Sequence, residues 1–236
     1  MCPEPTHLTS VWKCCLNGNE IKVACRDQQY GSYKLLTKPY CMKCAFPGVN
    51  TSECRWHSDD YGFNRIHAMG KYISTESQEG WNDLLSKHIR GLKKYPGYSE
   101  PLGEAISLCI QNEFTELKQS DFLVPVPKHP KEMENNYNQA ETLTSVVSSI
   151  LGIPAAGALI KVKPLKLMLT SRSSRKESVK GAYAFSENVS LNGKCMILID
   201  DVTTSGSTAS ECARVLVDAG AKTVNVVVAG RDVFVD

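Results

Sequence analysis

Apolar positions recur at helical spacing from about residue 79: Trp81, Leu84, Leu85, Ile89 and Leu92, with His88 in the same stripe and Lys and Arg on the opposite side. The stripe predicts a helix stopped by Pro96-Gly97. Ser99-Glu100-Pro101 opens a second helix, with Pro near its first turn and a stripe of Ile106, Cys109, Ile110, Phe114 and Leu117. The period then changes. Phe122 to Val126 reads as a buried strand that must be ending at Pro125 and Pro127, which cannot donate ladder hydrogen bonds. A helix from about Asn138 to Leu151 follows, with Leu143, Val146, Val147, Ile150 and Leu151 on one face and Gly152 and Pro154 closing it. Ala158 to Val162 is a short strand. Met196 to Ile199 is an uninterrupted apolar strand, the pattern of a sheet covered on both faces. Gly206 to Ala219 reads as a helix with Gly220 just past its end, and Thr223 to Val228 as a final strand. Strand–helix–strand repetition from residue 122 onward predicts an α/β fold, a parallel sheet flanked by helices.

Residues 1 to about 60 show no sustained periodicity and no run long enough for a core helix. The expected organisation is a small Cys-rich N-terminal segment over 1–60, a helical linker or hood over 61–120, and the α/β domain over 121–236. The Cys count sharpens the first of these. Seven of the 10 cysteines lie within the first 54 residues. The start, Met1-Cys2-Pro3-Glu4-Pro5, lacks the charged and apolar regions of a secretory signal, so the expected location is the reducing cytoplasm, where disulfides are disfavoured. No apolar run is long enough to span a bilayer, so no membrane partner is expected. A Cys cluster in that setting reads as a metal site. Cys41-x2-Cys44-x9-Cys54-x2-His57 supplies two chelating pairs, the spacing of a tetrahedral structural Zn²⁺ with no open catalytic position. Cys14, Cys15 and Cys25 are alternative ligands, in place of His57 or Cys54 or in a second site with Cys2 or His7.

The strongest chemical signal follows the apolar strand: Asp200-Asp201-Val202-Thr203-Thr204-Ser205-Gly206-Ser207-Thr208, running straight into a helix. Two adjacent carboxylates stand where a buried parallel strand emerges, the edge at which open α/β sheets bind ligands. The run Thr204, Ser205, Gly206, Ser207 and Thr208 is small and hydroxyl-rich, so backbone N–H groups can approach an anion closely, with a helix N-terminus behind them. The Gly-Lys-[Ser/Thr] triplet of a Walker loop is absent. Net charge is +2, too little for a global field that would drive the chain onto nucleic acid or lipid. That value is a cancellation. Between Lys161 and Lys180, seven basic residues against Glu177 give +6, leaving −4 elsewhere.

At these residues the chain resembles the type I phosphoribosyltransferases, whose signature is four apolar residues, two acids, a short linker and Thr-Gly-x-Thr; Ser205 stands at the first Thr. The resemblance sharpens toward ComF-like proteins, which join a Cys-rich zinc segment to such a domain. His88 to Tyr95 is similar to the family's linker helix, Val124-Pro125-Val126-Pro127 to its Val-Pro-Val-Pro turn, Asn138-Gln139-Ala140 to its Asn-Gln-Ala segment, and Arg175 to Tyr183 to its Arg-x-x-Asn-Val-x-Gly-Ala-Phe segment, with Ser178 in place of Asn. Asn135 and Asn136 replace the usual Arg-Gly.

The resemblance implies that loop 204–208 binds the 5′-phosphate of phosphoribosyl pyrophosphate (PRPP). It also implies that Asp200 and Asp201 hold the ribose hydroxyls, as the catalytic pair. Lys128 and His129, in the turn after the first strand, would face the pyrophosphate. Arg172, Arg175 and Lys176 would belong to a lid that excludes water from a reactive glycosyl centre. Mg²⁺ would accompany PRPP, taking mostly substrate oxygens, and one zinc is expected. Two functions follow: a phosphoribosyltransferase releasing pyrophosphate to an unidentified acceptor, and a non-catalytic module binding PRPP and single-stranded DNA in DNA uptake or processing. Either could act as an oligomer.

Overall fold

The computed structural model describes residues 12–233 except 26–27, 56, 58–60, 134–136, 165–176 and 187. Three strands come first: β1 (Trp12–Asn17), β2 (Glu20–Cys25) and β3 (Gln28–Lys34), an antiparallel meander. Then follow β4 (Ile66–Tyr72), α1 (Gln78–Asn82), α2 (Leu84–Leu92), α3 (Ser99–Asn112), β5 (Phe122–Pro125) and α4 (Gln139–Leu151). The C-terminal half adds β6 (Leu159–Lys161), β7 (Tyr183–Phe185), β8 (Cys195–Thr203), α5 (Ser207–Asp218) and β9 (Thr223–Asp232).

The centre is a four-stranded parallel sheet in the order β4-β9-β8-β5. Alternate residues of its strands feed two cores. Val124, Met196, Leu198, Val226 and Val228 face α5, meeting Ala209, Cys212, Ala213 and Leu216. Leu123, Ile197, Ile199, Val227 and Ala229 face the other way, onto α2, α3 and α4. Ile21, Val23 and Tyr33 of the meander pack into this second core. The α/β class expected from the sequence is therefore present, with helices on both faces.

Several elements differ from the sequence expectation, each for a physical reason. The first helix is two helices. Asp83 adopts an extended conformation, and its carboxylate accepts from the N–H of Ser86 at 2.8 Å, capping α2 and ending α1. Trp81 is consequently 59% exposed rather than part of the buried stripe. Ile150 lies on the outer face of α4, 43% exposed. Phe114 and Leu117 are buried, but beyond the end of α3. The strand predicted around Ala158 to Val162 forms as β6, outside the parallel sheet, paired antiparallel with β7. Among the described residues no helix is long and apolar enough to cross a membrane.

Candidate phosphate-binding site and metal turn

β8 carries the two acids to the carboxyl edge of the sheet. Asp200 is still in register with Val228 of β9, and Thr203 with Arg231. Both carboxylates first engage local backbone: Asp200 Oδ1 accepts from the N–H of Asp201 at 2.9 Å, and Asp201 Oδ1 from that of Val202 at 2.8 Å. Burial first, then the charge of Asp201, pushes the Asp200 carboxyl well above its ordinary value, while Lys128 pulls it back. The structure thus brings Lys128, from the turn after β5, within electrostatic reach of the acid pair. Tyr183 stands beside them. Its phenol, hydrogen-bonded to Thr208, is pushed up by burial and by the charges of its neighbours, Cys212 and Asp200 among them.

The turn after Thr203 is shaped by Gly206, whose φ of 76° and ψ of 2° lie in the left-handed region. Gly206 caps α5 without a side chain, so the first turn of the helix keeps an opening toward an anion. Ser205 Oγ accepts from the N–H of Ser207 at 3.3 Å and lies 2.9 Å from Ser207 Oγ. Thr204 is exposed, and Ser205 and Thr208 are half-buried.

After β5, His129 caps the short turn Pro130–Glu132. Its Nδ1 accepts from the N–H of Lys131 at 3.2 Å, and Glu132 Oε2 accepts from the N–H of His129 at 3.4 Å. Glu132 also pairs with the buried Lys161 of β6 at 2.6 Å. Lys161 in turn lies 5.6 Å from the ring centroid of Tyr183. Arg172, Arg175 and Lys176, expected to form a lid, lie outside the described residues.

The motif pieces quoted from the sequence meet in space. Asn138 is 3% exposed; its Nδ2 donates to the carbonyl of Val126 at 3.1 Å and its Oδ1 accepts from the N–H of Ala140 at 3.1 Å. Gln139 Nε2 donates to the carbonyl of Lys93 at the end of α2 at 3.4 Å. These residues tie the proline turn, α4 and the linker helix together.

Cys41, Cys44, Cys54 and His57 converge, with their ligand atoms all within 4.8 Å of one another. Cys44 Sγ and Cys54 Sγ are 3.8 Å apart, and Cys41 Sγ and His57 Nδ1 3.3 Å. Tetrahedral Zn²⁺ bonds of about 2.3 Å to sulfur and about 2.0 Å to nitrogen put ligand atoms roughly 3.5–3.8 Å apart. The donor set suits one closed four-ligand zinc site, with the more widely separated ligand atoms needing to draw in on the metal. Burial opposes the Cys41 thiolate. The N–H groups of Cys44 and Lys43, with the Cys54 and Cys44 thiols, outweigh it and hold the Cys41 pKa below its usual value. Among the alternative ligands, Cys14 and Cys15 stand on β1 and are not part of this group; Cys14 Sγ donates to the carbonyl of Pro101 at 3.5 Å. Cys25 is on β2.

Two residues the sequence reading passed over connect the halves of this region. Tyr61 Oη donates to the carbonyl of Ser205 at 2.8 Å. Arg231, 4% exposed, donates through Nε to the carbonyl of Cys44 at 3.0 Å and through Nη1 to that of Thr203 at 3.1 Å. A charged residue at the end of the apolar run Val224 to Gly230 was the available signal.

Fold and site define an α/β protein with an acid pair and a glycine-turned, hydroxyl-rich loop at the carboxyl edge of a parallel sheet, buttressed by a Cys3His turn. It is 32% identical over 206 residues to Competence protein F of Haemophilus influenzae, covering 80% of this chain and 82% of that protein. The chain belongs to the competence protein F family. No protein-family model matches it. Similar solved structures include the B. subtilis glutamine PRPP amidotransferase complexed with ADP and GMP, at 16% identity and TM-score 0.37, covering 89% of this chain and 36% of that one. Another is the Trypanosoma brucei adenine phosphoribosyl transferase in complex with AMP, pyrophosphate and ribose-5-phosphate, at 14% identity and TM-score 0.41, covering 70% of this chain and 85% of that one.

Proposed function

We propose that the protein binds PRPP with Mg²⁺ at the carboxyl edge of β8 and transfers its phosphoribosyl group, releasing pyrophosphate. The observation carrying this reading is the juxtaposition of the Asp200–Asp201 pair with the Gly206 turn at the start of α5. The 5′-phosphate would sit on the 204–208 loop, receiving backbone N–H groups and the hydroxyls of Thr204, Ser205, Ser207 and Thr208. The acid pair is electrostatically unfavourable by itself; ribose hydroxyl donors and a divalent cation are the partners that relieve it. Asp200 and Asp201 would hold both and stabilise charge at the anomeric carbon. When bound, Mg²⁺ would neutralise the diphosphate and favour its departure.

In the transfer step the C1–O bond to pyrophosphate breaks with its electron pair leaving on pyrophosphate. A bond forms from the acceptor to C1 through an oxocarbenium-like state, and the acceptor's proton passes to solvent. Lys128 would place a positive charge beside the departing diphosphate. His129, with Nδ1 engaged in its turn, would contribute through Nε2. Arg172, Arg175 and Lys176 would close over the phosphates. The Cys3His turn would hold a structural zinc.

A second reading is a non-catalytic module that binds PRPP and single-stranded DNA. It is favoured by the name of the Haemophilus influenzae relative, Competence protein F, and by the +6 segment, whose charge suits a phosphate backbone. Calorimetry with PRPP and Mg²⁺ should show binding to the native protein and its loss in Asp200→Ala/Asp201→Ala; unchanged affinity sinks the site assignment. Pyrophosphate release measured across bases, amines and single-stranded DNA then separates the two readings. Release dependent on one acceptor supports the enzyme, and binding without release supports the module.

A further inference from the structure

The metal turn and the anion loop are far apart in the chain and adjacent in the fold. Arg231 bridges them through two carbonyls, those of Cys44 and Thr203, and its guanidinium lies 5.3 Å from the ring centroid of Phe46, within the Cys turn. Tyr61 supplies a parallel strut. Its ring packs against the Cys cluster and stacks on Phe63 at 4.5 Å, and its hydroxyl holds the carbonyl of Ser205. Next to it the N–H of Gly62 donates to Ser210 Oγ of α5 at 3.2 Å. A side chain at Gly62 would put a Cβ 2.7 Å from backbone atoms of α5, so the approach is as close as a backbone permits.

Peptide planarity turns these contacts into a statement about the loop. In a trans peptide the C=O and the following N–H point in opposite directions. Arg231 fixes the carbonyl of Thr203, and so aims the N–H of Thr204 away from the metal turn. Tyr61 fixes the carbonyl of Ser205, and so aims the N–H of Gly206 away likewise. The orientation of two alternate amides of the loop is thereby set by Arg231 and Tyr61. The Arg231 charge beneath the loop adds to its attraction for an anion.

We propose that the Cys3His turn and the phosphate loop are a coupled unit in which Arg231 is the positioning residue, so that zinc in the turn strengthens binding of the PRPP 5′-phosphate at the loop. The inference rests on the PRPP reading given above. Coupling between two ligands is reciprocal. PRPP must then tighten zinc by the same factor that zinc tightens PRPP.

The test uses the full chain. Zinc affinity is measured by competition with a zinc-selective colorimetric chelator, with and without saturating PRPP and Mg²⁺, corrected for zinc held by free PRPP. The expected result is a rise of roughly fivefold or more in zinc affinity, the lower end of usual coupling. Arg231→Lys keeps the charge but lacks the fork needed to reach both carbonyls. With one zinc per chain and native far-UV circular dichroism, it should lose most of that factor. Unchanged zinc affinity in native protein that does bind PRPP overturns the coupling and leaves the PRPP site standing. Full coupling retained in folded Arg231→Lys removes Arg231 from the role. Absence of PRPP binding to zinc-loaded native protein overturns the functional reading and the coupling with it. The native-protein comparison decides the matter even where the variant fails to fold.

Discussion

Ionising both Asp200 and Asp201 at the edge of β8 opposes folding, because burial and the neighbouring charge raise the Asp200 pKa. With a folded-state pKa above the unfolded value, folding takes up a proton. Stability is therefore greatest at low pH with respect to this group, and falls as pH rises from its ordinary value of 3.8 up to the raised folded pKa. Above that raised value the native protein carries the full penalty. Asp200→Asn, of nearly the same shape, should raise the melting temperature at pH 7 by about 2–4 °C, the shift that 1 kcal/mol gives in a chain of this size. The gain should vanish toward pH 3, and PRPP affinity should fall in the same variant. A lower melting temperature at pH 7 contradicts this reading of the pair. The acids and the small-residue run were visible in the sequence because they are contiguous. Arg231 and Tyr61 were not, since their significance lies in carbonyls presented by remote segments.

The elements that the periodicity predicted well are those whose stripe feeds a core directly: α3, α4, α5, β5, β8 and β9. The meander went unseen because few of its described side chains, among them Ile21, Val23 and Tyr33, are fully buried, and because its cohesion comes from packing on the helices. β4 escaped for another reason. It is buried over Ile66 to Gly70 on both faces, so it shows no alternation, and His67 and Gly70 interrupt its apolar run. Gly70 is needed because a Cβ there would come within 2.5 Å of the Lys34 carbonyl oxygen and of Leu85. Asn138 shows the opposite case, a residue legible as a helix start that also does a long-range job. Replacing it with Ala removes the α4 cap and leaves the buried carbonyl of Val126 without its donor. The expected loss is about 2–3 kcal/mol, read as a lower midpoint in urea unfolding. A change under 0.5 kcal/mol would mean that water or a neighbour takes over both bonds.

Taken as a whole, the molecule hangs two cores on one sheet and adds the Cys turn at the end where the Gly206 loop emerges. Three thiols and one imidazole in so small a turn, with few apolar side chains among the described residues besides Phe46, Val49 and Tyr61, need a metal to stay in place. Purified protein should carry about one zinc per chain. Cys44→Ser should abolish that stoichiometry and lower the melting temperature; elemental analysis of the native protein that finds no zinc refutes the assignment. The basic segment offers a different lesson. Lys161 and Tyr183 are register partners, and the N–H of Val162 donates to the carbonyl of Ala182 at 2.8 Å, so the two ends of the connection are held side by side. In topological terms the segment is an insertion. Doubling its length adds only about 0.6 kcal/mol of closure entropy. Length can therefore be added there without disturbing the sheet so long as Val179 and Ala182 keep their places in the core, and new chain termini opened between those partners would leave the strand pairings of the described residues intact.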